Sequence, residues 1–289
     1  MNSSAPARAH PALLALDIDG TLFGEDAVIP PRNIRALVNL RERGISVVLS
    51  SGRALVSIRG VAERMFPPQE TDYYIAFNGG VVAGNARPDP IWAPTIPPAV
   101  VRKIADYARE HEVVLQGYKD PEFIVERDSG TARSYSEGTG MSYRVVQDLA
   151  RELPAGTPKL LMIAPHEELL RHQERLGALA RIGGPGGAEE RPAGPRFEMT
   201  FSKPHYLEIM PAGVTKGAGL RRLCAYLGIP LGDTVAVGDS LNDVEMLQEA
   251  GIGVAVANAG EPVKQAADHT TTASAEEAAV AEEIDRFFS

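Results

Sequence analysis

Several short apolar runs along this chain end in turn-forming residues and lead into segments of helical period, which points to strands alternating with helices around a mostly parallel sheet. Ala12 to Leu16 is the first such run. A helix entered through Pro30 and Pro31 follows it to Arg43, with Ile34, Leu37 and Val38 on one face and Gly44 as its stop. Ile45 to Leu49 is the next strand. Towards the other end, Thr215 can cap a helix that runs to Leu227 and ends at Gly228. Thr234 to Val237 is then a strand, and Ser240 starts a further helix.

The middle of the chain has a different rhythm. Val113 to Leu115, Phe123 to Val125 and Lys159 to Ile163 are expected strands, set between helices near Val100 to His111, Ser142 to Leu153 and Glu167 to Ala180. Phe197 to Ser202 and Tyr206 to Met210 suit adjoining strands that lead the chain back. With 289 residues, the chain exceeds the roughly 100–200 of one ordinary domain, so a separate α+β unit inserted in an α/β unit is the expectation. Between Gly183 and Arg196, eight of fourteen residues are Gly or Pro, which disfavours helix and strand interiors and predicts a surface loop within the insert.

Charge narrows the partners. Lys plus Arg number 29 and Asp plus Glu 38, a net charge of −9 with no basic stripe, which disfavours nucleic acid and anionic membrane. Cys224 is the single cysteine and lies in an apolar helical stretch, so it is expected as a core thiol. No signal-like apolar stretch occurs in Met1 to Pro11, and no run of 18 apolar residues occurs anywhere, so a cytoplasmic location is expected.

Four distant segments carry chemistry to strand ends. The first strand runs into Asp17-Ile18-Asp19-Gly20-Thr21, two carboxylates beyond the C-terminal end of a parallel strand, where open α/β sheets bind ligands. Adjacent anions need either a proton or a cation, and Mg²⁺ suits oxygen donors, although Asp and Gly also make ordinary turns. A second strand ends in Ser51-Gly52-Arg53, a hydroxyl and a flexible turn able to present N–H groups to an anion or simply to cap a helix. A third ends in Gly238-Asp239-Ser240-Leu241-Asn242-Asp243. Ser240 and Asp243 there also fit a capping box, which leaves Asp239 without a capping role. Lys216 opens a helix after Val214-Thr215, but the string lacks the glycine spacing of a nucleotide P-loop.

Together these segments resemble, in order, the four motifs of the haloacid dehalogenase superfamily of phosphatases. Phe77-Asn78-Gly79-Gly80, Leu207-Glu208-Ile209, Val214-Thr215-Lys216-Gly217 and Val256-Ala257-Asn258-Ala259 are similar to recurring segments of its Cof-type branch. Two positions depart from the family pattern: Ser51 stands where Thr is usual, and Ser274-Ala275-Glu276-Glu277 replaces the usual Asn-Asp. The resemblance implies a Rossmann-like parallel-sheet core over residues 10–83 and 203–289 and an inserted α/β cap over residues 84–202.

By the same resemblance, Asp17 is the nucleophile of a Mg²⁺-dependent phosphatase acting on small phosphomonoesters, sugar phosphates or phosphorylated cofactors. Asp19 protonates the leaving alcohol and then activates water, and its backbone carbonyl joins Asp17 and Asp239 around the metal, with Asp243 and Ser240 supporting them. Ile18 and Gly52 through their N–H groups, with Ser51, Lys216 and Asn242, hold the phosphoryl oxygens, while Thr21 supports the first turn. Tyr118, Arg127, Tyr135 and Arg144 are cap candidates for reading the substrate, though a solvated surface is the commoner role for such residues. A phosphotransferase or phosphosugar mutase would use the same Asp17. A non-catalytic phosphate-binding protein would not need both Asp17 and Asp19.

Overall fold

The computed structural model describes residues 11–181 and 197–289, so the expected Gly/Pro-rich loop at 183–196 lies outside the described residues. The chain starts with β1 (Leu13–Asp17), α1 (Pro31–Glu42), β2 (Ser46–Ser50), α2 (Leu55–Glu63), β3 (Tyr73–Ala76) and β4 (Val81–Gly84). Next come α3 (Pro98–Glu110), β5 (Val114–Lys119), β6 (Glu122–Val125), α4 (Gly130–Thr139), β7 (Tyr143–Val145), α5 (Leu149–Glu152), β8 (Leu160–Ile163), α6 (His166–Arg181), β9 (Phe197–Lys203) and β10 (Tyr206–Pro211). It closes with α7 (Lys216–Leu227), β11 (Thr234–Gly238), α8 (Val244–Glu249), β12 (Ile252–Ala255), α9 (Glu261–Ala266), β13 (His269–Thr270) and α10 (Ala279–Phe287).

Two compact units result: residues up to Arg53 with Ile58–Trp92 and Thr215–Ser289, and Ala54–Ser57 with Ala93–Val214. In the first, the sheet order is β13-β12-β11-β1-β2-β3-β4, with every pairing parallel except β3 to β4. All five residues of β1 and all five of β11 are buried, as expected of central parallel strands covered on both faces. From β1 the chain steps outward to β2 and β3, and from β11 it steps the other way to β12 and β13. The sheet therefore changes direction between β1 and β11, and a crevice opens there at the strands' C-terminal ends.

Local signals place α7 firmly. The Thr215 hydroxyl accepts the Ala218 N–H at 3.0 Å, and Gly228 ends the helix in left-handed backbone, φ 69°. Cys224 is buried on this helix.

The second unit is a six-stranded sheet of order β7-β6-β5-β8-β10-β9, antiparallel except between β6 and β7. Its strands alternate: Leu115, Ile124, Leu160, Met162, Leu207 and Ile209 pack with the apolar faces of α3, α5 and α6. Gln116, between Leu115 and Gly117, therefore belongs to the opposite face.

Three expectations change. The helix expected over Ser142 to Leu153 is instead β7 followed by short α5, because Val145 and Val146 favour extended backbone and Asp148 restarts the chain as an N-cap, accepting the Arg151 N–H at 3.0 Å. Helix α4 was not foreseen: its glycines, serines and threonines are poor helix formers, yet Ser129 caps it and left-handed Gly140 closes it. The units also part at Trp92/Ala93 and Val214/Thr215 rather than at 83/84 and 202/203. Tyr206–Pro211 pairs with β8 and β9, and Trp92 bridges to Val82 beside β3. No helix among the described residues is long and apolar enough to cross a membrane.

Candidate active site

Adjacency of β1 and β11 brings two distant sequences together. Asp17 ends β1, and Asp239 follows Gly238, the last residue of β11. Gly20, at φ 84°, makes their approach possible: a Cβ there would meet Asp239 Oδ2 at 2.4 Å. Thr21 donates to Asp239 Oδ1 at 3.0 Å and Ser240 to Oδ2 at 2.9 Å, so both oxygens of Asp239 are fixed. Asp243 Oδ2 accepts the N–H groups of Asp239 and Ser240 at 3.1 and 2.9 Å. The capping role foreseen for Asp243 therefore uses only one of its oxygens. A 3₁₀ turn at Leu241–Asp243, not the α-helix expected from Ser240, precedes α8.

The other oxygen of Asp243 faces Lys216. Lys216 Nζ donates to Asp243 Oδ1 and to Asp17 Oδ1, each at 2.5 Å, and all three side chains are buried. Burial raises the Asp17 carboxyl well above its ordinary range, and Asp243 adds to this while Lys216 opposes it. Burial and Asp243 likewise raise Asp239. Burial pulls the Lys216 ammonium down, but Asp17 and Asp243 outweigh it and hold the amine charged.

Among the described residues, Asp17, Asp239 and Asp243 bring candidate ligand atoms within 4.8 Å of one another. Were all three carboxylates ionised, one ammonium would leave two negative charges uncompensated, and all three donors are oxygen. That set fits a hard divalent cation such as Mg²⁺. Asp19 and Ser240 stand apart from this group. The Asp19 carboxylate is gripped by Arg53, whose Nε and terminal nitrogen donate at 2.7 and 2.5 Å, and the Ser240 hydroxyl serves Asp239.

The remaining motif residues line the same sheet edge. Ser51 is buried and its hydroxyl accepts the Arg53 N–H at 3.2 Å. The Ile18 carbonyl accepts from Leu22 at 2.9 Å, which closes the turn after β1. Asn242 Nδ2 donates to Asn78 Oδ1 at 3.0 Å, and Asn78 also lies against Gly52. A cavity of about 630 Å³ opens beside these residues, lined among others by Asp19, Phe23, Arg53, Asp239, Asn258 and Glu276. Asn258 ties two of its walls, donating to the Gly20 carbonyl at 2.8 Å and accepting the Ala275 N–H at 2.9 Å. The segment that replaces the usual Asn-Asp thus lies against the first turn, with Glu276 beside Gly24.

The four candidates on the insert do not converge. Tyr118 is buried rather than solvated, and its hydroxyl bonds the Tyr135 hydroxyl at 2.6 Å. Arg127 donates to the Glu112 carbonyl at 3.1 Å, whereas Arg144 is exposed and pairs with Glu122 and Glu152. Near Tyr118 lies an ion pair that sequence reasoning missed, Lys159 with Glu208 at 2.5 Å, both buried. Alternation within β10 was its available signal, since Glu208 falls between two core residues, Leu207 and Ile209. Arg53 and Asn78 were visible as motif letters but without roles.

The family described as haloacid dehalogenase-like hydrolase matches residues 14–284. The chain belongs to the haloacid dehalogenase-like hydrolases. This hydrolase is 30% identical over 285 residues to the 5-amino-6-(5-phospho-D-ribitylamino)uracil phosphatase YitU of Bacillus subtilis, covering 96% of this chain and 98% of that one. It is 26% identical over 260 residues to an HMP-PP phosphatase of Yersinia pestis, covering 88% and 86%. Among solved structures, TM0651 from Thermotoga maritima superposes with a TM-score of 0.84 at 31% identity, covering 96% of this chain and 97% of that one. A sugar phosphatase, BT4131, shares the fold at a TM-score of 0.73 and 22% identity.

Proposed function

We propose that this hydrolase is a Mg²⁺-dependent phosphatase of small phosphomonoesters and works through a phosphorylated Asp17. The observation that carries the proposal is the cluster in which buried Lys216 joins Asp17 to Asp243 while Asp239 brings a carboxylate oxygen within 4.8 Å of theirs. In this reading Asp17, Asp239 and Asp243 hold the cation, with the Asp19 backbone carbonyl and Ser240 in support. When bound, it supplies positive charge to the phosphoryl oxygens and keeps two buried carboxylates ionised.

Asp17 attacks phosphorus, a bond forms from its carboxylate oxygen, and the phosphorus–alkoxide bond breaks. Asp19 delivers a proton to the departing alkoxide, then takes one from water as the water attacks phosphorus, which returns Asp17 and releases inorganic phosphate. Lys216, Ser51, Asn242 and the N–H groups of Ile18 and Gly52 hold the phosphoryl oxygens as charge spreads over them in the transition state. Thr21 has a simpler task, keeping Asp239 aimed.

Small phosphorylated metabolites suit this site better than nucleic acid, given a net charge of −9 and a modest cavity. The names of the relatives at 30% and 26% identity, a 5-amino-6-(5-phospho-D-ribitylamino)uracil phosphatase and an HMP-PP phosphatase, support small phosphorylated metabolites as substrates. Tyr118, Tyr135, Arg127 and Arg144 of the insert, which do not converge, are the positions to substitute when its part in substrate selection is tested. A cytoplasmic location belongs to the same proposal.

Phosphate release from a panel of sugar phosphates, phosphorylated cofactor precursors and nucleotides, with Mg²⁺ or with chelator, tests the reading. Turnover that needs both Mg²⁺ and Asp17, and is lost in Asp17→Asn, is the expected result. Absence of release above the Asp17→Asn background from folded, Mg²⁺-loaded protein would overturn it.

A further inference from the structure

We propose that Asn78 is a positioning residue that aims the Asn242 amide at the phosphoryl group, an inference that rests on the phosphatase reading above. The turn that carries Asn78 is costly. Phe77, Asn78 and Gly79 follow one another with φ of 51°, 52° and 96°. Asn and Gly tolerate left-handed backbone, but a bulky aromatic residue does not, so the surroundings must hold the turn in place.

Those surroundings are the motif loops themselves. The N–H groups of Phe77 and Asn78 donate to the carbonyls of Arg53 and Ser51, each at 3.0 Å. Gly79 packs so closely that a Cβ would lie 2.0 Å from the Thr215 carbonyl oxygen, one residue before Lys216. The turn thus joins the Ser51–Arg53 loop to the start of α7.

Asn78 itself is buried, and its Oδ1 accepts from Asn242 Nδ2 at 3.0 Å. The same side chain packs on Gly52, where an added Cβ would meet Asn78 Oδ1 at 3.1 Å. A carboxamide presents donors at one end and an acceptor at the other, on nearly the same shape. The bond to Asn78 places the nitrogen of Asn242 and leaves that nitrogen's second N–H to donate. Were the amide to turn over, its oxygen would face the phosphoryl oxygens and repel them. Asn78 therefore selects the orientation of Asn242 without touching the substrate.

Asn78→Gly tests this, because glycine keeps the left-handed backbone and removes only the side chain. Loss of one oriented donor predicts a fall in kcat/KM of about a hundredfold or more on the best panel substrate, with little change in thermal midpoint. Asn242→Ala should show a similar fall, and the double variant should be no worse than Asn242→Ala alone. In NMR spectra, the side-chain NH₂ pair of Asn242 should exchange with water faster in Asn78→Gly than in wild type. An unchanged Asn242 NH₂ pair, or additive losses in the double variant, would overturn the positioning role while leaving the phosphatase reading intact. Inactivity of the wild type on the panel, in contrast, would overturn that reading and the inference built on it.

Discussion

Replacing Lys216 with methionine isolates the electrostatic core of the site. The substitution keeps length and apolar stem but deletes an ammonium that is 1% exposed and lies 2.5 Å from a carboxylate oxygen of both Asp17 and Asp243. Breaking a buried pair by removing one partner costs about 3–5 kcal/mol, because the remaining charge is left uncompensated. At about 2–4 °C per kcal/mol for a unit of this size, the thermal midpoint in chelator should fall by roughly 6–20 °C. Saturating Mg²⁺ binds the folded variant and substitutes for the lost charge, so the gap to wild type should narrow when metal is added. Thermal unfolding of both proteins, in chelator and in Mg²⁺, reads these quantities. A midpoint in chelator within about 2 °C of wild type would refute the reasoning, since the buried carboxylates would then have compensation that does not come from Lys216.

Gly20→Ala places a methyl 2.4 Å from Asp239 Oδ2 at a backbone φ of 84°, so Asp239 must move; Mg²⁺ affinity measured by titration calorimetry should fall about tenfold or more, with about 1–3 kcal/mol lost from stability through backbone strain. Burial pushes the Cys224 thiol up to about 11, so iodoacetamide at pH 8 should modify it only after denaturation, as mass spectrometry would show; rapid alkylation of native protein would contradict its core placement. Glu283 on α10 is buried, with its nearest cation, Arg286, at 3.5 Å, and burial raises its carboxyl above the usual range. A folded value above the unfolded one gives stability that is fully present below the unfolded value and lost as pH rises through the folded value. Glu283→Gln should therefore raise the thermal midpoint at pH 8 and change it little at pH 4; equal shifts at both pH values would contradict the buried charge.

The core was legible where several local signals coincided. In β1, an unbroken apolar run stops at a carboxylate and a glycine, and in α7 a Thr cap and a left-handed Gly bracket an apolar face. Such features need no knowledge of distant residues. The 203–214 segment was harder, since Tyr206–Pro211 is apolar enough for either unit and only pairing with β8 and β9 decides it. Helix α4 was illegible because its glycines, serines and threonines are weak helix formers; its ends are held by the Ser129 cap and left-handed Gly140, and one residue, Ala132, is buried. Within the site, the carboxylates and Lys216 could be read from strand ends, but the grip of Arg53 on Asp19 and of Asn78 on Asn242 depends on side-chain directions across 34 and 164 residues. Tyr118 misled for a related reason: a polar aromatic residue on an insert strand is as readily buried as exposed, and only its partner Tyr135 shows which.

The central claim is that Asp17 becomes phosphorylated during turnover. Borohydride reduces an acyl phosphate, though not a free carboxylate, to an alcohol. Enzyme quenched during steady-state turnover with Mg²⁺ and its best substrate, then treated with borohydride and digested, should yield a peptide in which residue 17 has become homoserine. The modification should be absent without substrate. Substrate-dependent phosphate release with residue 17 always recovered as unmodified aspartate, or with the reduction mapped to Asp19 or Asp239, would contradict the account.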